Sequence, residues 1–368
     1  MQLAKRPIML VGSFQSGSAE DVLRFTGQEL GDKVLGLTDG ETGIRQFWVI
    51  GVYAFAISKH PDLEIIYKPK GVPGLPDYVS NGYGDLGKVT VKPGVTSLRF
   101  PSLIYAEPAA QSYAIFKRLR AEGAIAPGTK FQVCLPFPED VARLFTTNAR
   151  DMDIISEGYT EAMAREVETI ARLIPAEDLL IQWDCNWVVL AADHDDLVEG
   201  VPPLDWCPHG DPMSRYRRYL RDLTPVVPAN VAMGLHLCYG DLHHKHFFDP
   251  KSLALCVEMA NVAVAESRHP ITYVHMPVPR TRDDDAYFAA TRDLDLKGGT
   301  LYAGLVHYSD GAKGGLKRLD TLARHYNGIA GIATECGLGR RPPDQDMKVM
   351  MKIHRDIAAS FGKTAVSA

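Results

Sequence analysis

Eight short apolar runs alternate with longer segments of helical period, and this alternation limits the possible folds more than any other feature of the chain. The runs are PIMLVG, KVLGLT, KFQVCL, DLLIQW, VAMGLHL, ITYVH, TLYAGLV and GIAGIAT. Strands that are apolar throughout are typical of parallel sheets covered on both faces, and the helical segments between them provide the cover. Eight such units predict a (β/α)₈ TIM barrel, an α/β fold built by residues 1–368 as a single domain.

Two segments interrupt the alternation. Residues 62–104 contain Pro-Gly pairs and short β-like runs, which predict a hairpin excursion after strand 2. Residues 191–215 form a long loop after strand 4. Both segments follow the C-terminal ends of strands, and this is the face of the barrel that carries active sites in enzymes of this fold.

The composition fits a globular protein that acts on small molecules. The chain is 46% hydrophobic with a net charge of −5, and it lacks the basic cluster expected of a nucleic-acid-binding protein. No apolar stretch reaches transmembrane length, and MQLAKRPIMLVGSF is interpreted as a first strand rather than a signal peptide. The six cysteines are scattered, unlike the dense disulfide frameworks of small secreted domains. We expect a cytoplasmic protein, monomeric or homo-oligomeric, with small-molecule substrates and neither nucleic acid nor membrane as a partner.

Polar or metal-binding residues stand at most of the predicted strand ends. A barrel collects these ends in one funnel, so their side chains are expected to face a common site. Helix caps and loop polarity explain part of the pattern, but neither His nor Cys is a preferred cap. The groups are Gly12-Ser13, Asp39-Gly40-Glu41, Leu135-Pro136-Phe137, Asp184-Cys185, His236-Leu237-Cys238, His275, His307-Tyr308-Ser309 and Glu335-Cys336.

The motif HLCYGD places His236 and Cys238 two residues apart, so both side chains point to the same side of a strand. Together with Cys336 they offer one imidazole and two thiolates, a set that suits tetrahedral zinc with an exchangeable fourth position. Thiolates also argue against Mg²⁺ and Ca²⁺, which prefer oxygen. Each residue alone has another interpretation, because a lone Cys is usually a small buried hydrophobe and a lone His a hydrogen-bonded core residue. Spacing alone leaves both interpretations open.

Two motifs resemble those of a known family. HLCYGD and TECGLGRR are similar to the His-x-Cys-Tyr and Asp-Cys-Gly-Leu-Lys-Thr-Arg motifs of the cobalamin-independent methionine synthase catalytic domain. That domain is a zinc-dependent (β/α)₈ barrel of the methionine synthase and uroporphyrinogen decarboxylase superfamily. In the same order along the chain, IMLVGSF, IQWD and LVHYSDG resemble the family's Ile-Gly-Ser-Phe, Ile-Gln-Ile-Asp and Asp-Ile-His-Ser segments. The resemblance implies zinc bound by His236, Cys238 and Cys336, with a fourth ligand from the strand between them.

Two departures from the family pattern change what the resemblance implies. Where the family has a glutamate ligand on the sixth strand, ITYVHMPVPR offers His275, and a neutral imidazole is a good zinc ligand. The family's Asp-Glu-Pro after the fourth strand is here Asp184-Cys185-Asn186, which keeps the aspartate that resembles an amino-group binder but loses its neighbour. We therefore expect a zinc site that includes His275 and an acceptor other than homocysteine.

The expected activity is that of a zinc-dependent methyl- or alkyltransferase, in which zinc activates a substrate thiol as a thiolate. A folate or another methyl donor is the expected co-substrate. His307 is a candidate proton donor, because imidazole titrates near neutral pH, and a structural histidine is the alternative. Other reactions on the same barrel are thiol addition to an epoxide and folate-dependent demethylation of an aryl methyl ether. A non-catalytic zinc- or ligand-binding barrel is the alternative from a different class.

Further residues near the strand ends are candidate substrate contacts. Asp184 and Glu41 are expected to hold a cationic or hydroxyl-bearing group, although a carboxylate at a helix N-terminus is an alternative for Glu41. Arg45 is a candidate for binding a carboxylate. The remaining candidate contacts are Ser13, Asp39, Trp183, Tyr239, Tyr308 and Ser309.

Aromatic residues and histidines add two more hypotheses. Flat aromatic walls suit a pterin or an aromatic substrate, and packing beneath the barrel loops is the alternative. The aromatic residues are Trp183, Trp187, Trp206, Tyr239, Phe247, Phe248 and Tyr308. The tract HHKHFF, with His243, His244 and His246, is either a second metal or anion site or an exposed loop.

Overall fold

An eight-stranded parallel sheet forms the centre of the computed structural model, which describes residues 1–80, 82–193, 211–241 and 246–364. Its strand order is β1-β10-β9-β8-β7-β6-β5-β2. A parallel bridge between Ile8 and Val34 places β1 beside the segment that leads into β2, so the two edges of the sheet meet. The predicted (β/α)₈ barrel is therefore confirmed. The strands are β1 (Gln2–Ile8), β2 (Gly36–Leu37), β3 (Leu63–Tyr67), β4 (Lys88–Val91), β5 (Lys130–Pro136), β6 (Leu179–Cys185), β7 (Ala232–Leu237), β8 (Tyr273–Pro277), β9 (Thr300–Val306) and β10 (Ile329–Thr334).

Helices lie between the strands and pack on the outside of the barrel. Ser18 caps the first helix by accepting a hydrogen bond from the Asp21 backbone. The amphipathic segments that predict helices are all helical: SAEDVLRFTGQEL, EPAAQSYAIFKRLRAEG, YTEAMAREVETIARLI, PKSLALCVEMANVAVAES, GGLKRLDTLARHYNG and DQDMKVMMKIHRDIAAS. Within the described ranges, no helix is both long and apolar enough to span a membrane. The helices are α1 (Ala19–Leu30), α2 (Val49–Val52), α3 (Ala106–Ala121), α4 (Pro138–Phe145), α5 (Ala149–Leu173), α6 (Trp187–Asp193), α7 (Pro212–Leu223), α8 (Ala254–Glu266), α9 (Asp285–Phe288), α10 (Gly311–His325) and α11 (Met347–Thr364).

Helix α5 begins well before the amphipathic segment that predicts it. Asn148 caps its first turn by accepting a hydrogen bond from the Asp151 backbone. Gly158, a residue that ordinarily weakens a helix, lies inside it. A Cβ atom at this position would be 2.6 Å from the Leu98 carbonyl oxygen, so the close approach of another segment explains the glycine.

The predicted excursion after strand 2 is present. β3 and β4 form an antiparallel hairpin, in which Leu63 lies opposite Val91. The chain between these strands contributes Val72, Leu75 and Val79 to the cavity at the mouth of the barrel. The predicted long loop is described only in part, because residues 194–210 lie outside the described ranges.

A hydrogen-bonded group of polar side chains lies inside the barrel, next to a buried apolar cluster that includes Leu180. Gln182 donates a hydrogen bond to Asp184 at 2.8 Å and another to the Val11 carbonyl at 2.6 Å. The Tyr273 hydroxyl donates to the Gln182 side-chain oxygen at 2.7 Å. Because side chains alternate along a strand, Gln182 and Asp184 point inward while Trp183 between them points toward the helices.

Helix α3 has no side-chain cap of its own, and Glu166 of α5 takes that role. The Glu166 carboxylate accepts hydrogen bonds from the backbone N–H groups of Leu103, Tyr105 and Ala106 at 2.7, 3.3 and 2.6 Å. A carboxylate at this end of a helix satisfies free N–H groups and complements the helix dipole.

We expect Glu166→Ala to lower the free energy of unfolding by about 2–4 kcal/mol, because it leaves buried N–H groups without an acceptor. Glu168→Ala, at an exposed position of the same helix, is expected to change it by less than about 0.5 kcal/mol. Urea denaturation followed by circular dichroism measures both variants. Equal stability of the two variants would contradict this role.

Candidate metal centre

His236, Cys238 and Cys336 come together at the mouth of the barrel. The first lies in β7, the second directly follows that strand, and the third follows β10. Their ligand atoms all lie within 4.8 Å of one another, and all three residues are buried. The Sγ atoms are 3.8 Å apart, and His236 Nε2 is 3.7 Å from Cys336 Sγ. Among the described residues, this is the only His, Cys, Asp or Glu group with such spacing.

These distances fit a tetrahedral zinc ion. With Zn–S bonds of about 2.3 Å and Zn–N bonds of about 2.0 Å, tetrahedral geometry separates two sulfurs by about 3.8 Å and a sulfur from a nitrogen by about 3.5 Å. The Sγ–Sγ distance of 3.8 Å also rules out a disulfide, whose bond is about 2.05 Å long. The Gly240 backbone N–H donates to Cys238 Sγ at 3.3 Å, which suits a sulfur that carries negative charge. The residues could therefore hold the metal that the motifs predict.

His275 lies beside this group and contacts it through His236. The two residues are register partners in β7 and β8, and their Nδ1 atoms are 2.7 Å apart. His275 Nε2 is 2.9 Å from the Thr334 carbonyl oxygen, which only accepts hydrogen bonds. His275 therefore donates from Nε2 and accepts at Nδ1 from the Nδ1–H of His236. This leaves the lone pair of His236 on Nε2, the atom nearest Cys336.

This arrangement differs from the predicted four-ligand set. Both ring nitrogens of His275 already have partners, and burial lowers its pKa to about 4, so the ring is neutral at pH 7. A hydrogen bond of this kind commonly fixes the tautomer and orientation of a metal-binding histidine. His275 thus occupies a position that orients His236.

Arg340 provides positive charge next to the sulfurs. Its guanidinium lies 3.9 Å from Cys336 Sγ and 3.3 Å from an Asp241 carboxylate oxygen. The neighbouring Cys238 thiol and burial raise the pKa of Cys336, and Arg340 opposes that rise. A metal ion would displace the thiol protons, because only the thiolate is a ligand.

A cavity of about 420 Å³ opens onto the three residues. Ser13, Glu41 and Asp184, all predicted substrate contacts, line it. Trp48 and Trp187 add flat apolar surface, and the hairpin excursion covers another side. The cavity therefore combines a few polar groups with apolar walls, as small-molecule sites commonly do.

Glu41 and Asp184 have strongly shifted pKa values in this cavity. Burial and the charge of Asp184 raise the pKa of Glu41 to about 8. Burial also raises the pKa of Asp184 to about 7, against hydrogen bonds from Gln182 and Trp48. Glu41 adopts a left-handed backbone conformation with φ of 53°, an uncommon state for a non-glycine residue that is often found at functional sites. A Cβ at Gly12 would be 2.9 Å from its carboxylate, so Gly12 makes room for the acid.

Other predicted contacts lie away from this cavity. Asp39 and Arg45 form an ion pair of 2.6 Å with each other, and Ser112 also donates to Asp39 at 2.7 Å. Trp183 faces the helices and packs against Phe137, with ring centroids 6.1 Å apart. These residues support the loop after β2 and the outer layer of the barrel.

The predicted aromatic residues likewise fall into some that line the cavity and some that pack away from it. Trp187 lines the cavity and packs against Phe247, with ring centroids 5.3 Å apart. Tyr239 is buried and packs against Phe248, with ring centroids 5.7 Å apart. Packing thus accounts for Tyr239, while Trp187 belongs to the wall.

A second cavity contains the predicted group after β9, His307, Tyr308 and Ser309. His307 Nε2 is 3.0 Å from the Val278 carbonyl, and its Nδ1 is 3.3 Å from Glu335. His246 of the HHKHFF tract lies 3.5 Å from the same glutamate. The predictions at Trp206, His243 and His244 concern positions outside the described residues.

Trp48, Asn186, Asp241 and Arg340 also line the cavity, and none of them is among the predicted substrate contacts. Asp241 and Arg340 belong to the motifs HLCYGD and TECGLGRR, so the motifs themselves contain the signal. The position of Trp48 depends on its left-handed backbone conformation, with φ of 53°, and no residue pattern indicates such a conformation.

The fold and the three ligand residues define a (β/α)₈ barrel with a candidate metal centre at its mouth. No family model matches the chain, and no curated protein matches its sequence. A B12-independent methionine synthase from Shewanella sp. W3-18-1, solved in complex with selenomethionine, is similar in structure. The TM-score is 0.59 at 13% identity, over 99% of this chain and 100% of that chain. A GH18 chitinase from Pseudoalteromonas aurantia matches 95% of this chain and 99% of its own, with a TM-score of 0.34 and 6% identity. The likeness to the synthase shows a shared barrel fold.

If His275 orients His236, His275→Gln should weaken zinc binding by about 10- to 100-fold and keep the binding stoichiometry. His60→Gln is the matched control, because His60 is also buried and bonds backbone groups far from the centre. Competition with a chromophoric chelator measures both affinities. Unchanged affinity in His275→Gln would contradict the orienting role.

The raised pKa of Glu41 predicts a pH-dependent cost to folding. The folded protein keeps the Glu41 proton up to about pH 8, whereas the unfolded chain releases it near the ordinary value of 4.5. Stability relative to Glu41→Gln should therefore fall as pH rises from about 4.5 to about 8 and then level off.

Thermal unfolding midpoints of wild type and Glu41→Gln between pH 5 and pH 9 measure this difference. Glu64→Gln, at an exposed position of β3, should follow wild type at every pH. A constant difference between wild type and Glu41→Gln would contradict the raised pKa.

Proposed function

We propose that this protein is a zinc-dependent methyl- or alkyltransferase that activates a substrate thiol other than homocysteine. The observation that carries the proposal is the group of His236 Nε2, Cys238 Sγ and Cys336 Sγ, whose distances of 3.7 and 3.8 Å suit tetrahedral zinc. Three protein ligands are the number found at catalytic zinc sites. The likeness of the barrel to a B12-independent methionine synthase is consistent with this proposal.

A zinc ion held by these residues would leave one position for a substrate thiol and lower its pKa, which supplies a thiolate nucleophile at neutral pH. The chain's own residues prepare the site for that role. His275 sets the tautomer of His236, and Arg340 offsets the negative charge of the two cysteine thiolates.

Glu41 and Asp184 are the proposed acid–base pair. With pKa values of about 8 and about 7, they hold at least one proton near neutral pH, when an ordinary carboxyl is fully ionised. The protonated member is suited to donate to a leaving group, and the ionised one to hold a cationic group of the substrate. His307 lies in the other cavity and hydrogen-bonds Val278 and Glu335, so we give the proton-donor role to this pair.

The cavity walls favour an acceptor or donor with an apolar portion. Val72, Leu75 and Val79 of the excursion and the indole rings of Trp48 and Trp187 surround the polar groups. Flat apolar walls suit the ring system of a folate donor. The same walls suit an aryl methyl ether, so folate-dependent O-demethylation is the second candidate reaction.

Substitution next to Asp184 supports an acceptor that differs from homocysteine. Asn186 donates a hydrogen bond to the Cys238 carbonyl at 3.1 Å, and Cys185 belongs to the hydrophobic core. Neither residue supplies a second carboxylate beside Asp184. An amino acid acceptor would lack that neighbouring acid and would meet Asp184 paired instead with Glu41, with which it shares a proton near neutral pH.

Metal analysis tests the metal centre first. The purified protein should contain about one zinc ion per chain, and Cys238→Ser or Cys336→Ser should lose it. Cys256→Ser is the matched control, because Cys256 is buried in α8 and lies outside the ligand group. Absence of zinc at neutral pH, or retention of zinc in both ligand variants, would refute the proposal.

Transfer itself is tested on the zinc-loaded protein. Methyltetrahydrofolate and methylcobalamin are offered as donors to a panel of thiols, and methylated products are detected by mass spectrometry. We expect transfer to at least one thiol by wild type and none by Cys336→Ser. A zinc-loaded wild type that methylates no thiol would instead support thiol addition to an epoxide, O-demethylation or a non-catalytic barrel.

A further inference from the structure

A second cavity, of about 660 Å³, lies across one short segment from the metal centre. Residues 335–341 separate the two spaces. Cys336 and Arg340 line the cavity at the metal centre, whereas Glu335 and Arg341 line the second one. The proposed transfer reaction uses nothing in this second space.

Arg341 is the unusual residue of this cavity. Only 4% of it is exposed, and its one hydrogen bond in the described structure goes from Nη1 to Gln345 at 3.2 Å. Its Nε and Nη2 groups are buried without a hydrogen-bond acceptor. Burial lowers the pKa of Arg341, but a guanidinium stays charged at neutral pH. A buried cation with one whole edge unpaired is costly to the folded protein.

Other buried arginines show how this fold ordinarily satisfies such a group. Arg318, which is 1% exposed, pairs with Asp310 at 2.8 Å and donates to backbone carbonyls. Arg143 and Arg215 both contact Glu139. Among the buried arginines of the described ranges, Arg341 alone has no carboxylate within 4 Å.

The acidic residues of the second cavity contact its histidines. Glu335 lies 3.3 Å from His307 and 3.5 Å from His246, and Asp249 lies 3.3 Å from His246. Arg280 adds a second guanidinium to the lining, and no described carboxylate forms an ion pair with it. Among the described residues, neither guanidinium thus has a carboxylate in hydrogen-bonding contact, and Glu335 and Asp241 act on the charge of Arg341 only at longer range.

We propose that the second cavity binds the oxyanion group, carboxylate or phosphate, of an organic molecule through the free edge of Arg341. Nε and Nη2 form the side of a guanidinium that donates two parallel hydrogen bonds to such an oxyanion. Both atoms are shielded from solvent in this structure, so the Arg341 side chain must turn toward the cavity to reach the ligand. A space of about 660 Å³ is much larger than an inorganic anion, so the oxyanion belongs to a larger ligand. The inference goes beyond the proposed transfer reaction and does not require a metal ion at Cys336.

Anion binding is tested on the full chain with inorganic phosphate and with glutarate, by calorimetry and by thermal unfolding. Wild type should bind one anion per chain and melt at a higher temperature in its presence. Arg341→Met should bind about tenfold or more weakly, because it removes a charge-assisted pair of hydrogen bonds. Arg324→Met, which removes an exposed arginine paired with Asp285, should bind like wild type.

The two probes distinguish the two oxyanion classes, because tighter binding of phosphate indicates a phosphate-bearing ligand and tighter binding of glutarate indicates a carboxylate-bearing one. Binding of neither probe to wild type, or equal binding to Arg341→Met, would overturn the proposal. Cys336→Ser should bind the anion like wild type, so a failure of the metal centre is distinguishable from a failure of this site.

Melting temperatures distinguish the proposed site from a purely structural role for Arg341. A structural role would make the loss of Arg341 destabilising, whereas the proposed site predicts no loss of stability. Without added anion, Arg341→Met should melt at or above the wild-type temperature, because it replaces a buried unpaired cation by an apolar chain. Arg318→Met should melt well below it, because Asp310 and the carbonyl groups lose their donor. Comparable destabilisation in the two variants would show that Arg341 serves the fold and would overturn the proposed site.

Discussion

The parallel hydrogen-bond ladder of the barrel is the constraint on which the rest of this molecule depends. It places His236 opposite His275 in neighbouring strands, and it brings the end of β10 to the same mouth as the end of β7. Cys238 and Cys336, which are far apart in the chain, therefore lie with their sulfurs 3.8 Å apart. A shift of one residue in either strand would turn these side chains toward the helices.

Much of this architecture could be predicted from the sequence, because most of the barrel strands coincide with apolar runs. The boundaries of the strands follow less directly from the sequence: β1 begins at Gln2 although Lys5 and Arg6 interrupt its apolar pattern. Arg6 donates to the Val34 carbonyl and to Thr129, so its charge is satisfied by neighbouring segments that no local pattern reveals. The start of α5 cannot be predicted from local pattern for a similar reason, since the glycine at position 158 inside the helix is explained by its close approach to Leu98.

The grouping of His236, Cys238 and Cys336 could be predicted from the sequence, while the roles of their neighbours could not. A two-residue spacing on one strand determines that His236 and Cys238 share a side. Whether His275 binds a metal or orients another histidine depends on ring orientation and on the carbonyl of Thr334. The sequence likewise places His307 and Cys336 at strand ends, but the chain at 335–341 divides those ends between two cavities. Such a division depends on loop backbone geometry.

X-ray absorption at the zinc edge, recorded on the zinc-loaded protein with and without an added thiol, determines directly which atoms bind the metal. We expect two sulfur ligands at about 2.3 Å and one imidazole nitrogen at about 2.0 Å, with a third sulfur when a substrate thiol is added. Two imidazoles in the resting spectrum, or a sulfur count that no thiol changes, would contradict a three-ligand centre that is open to a thiol.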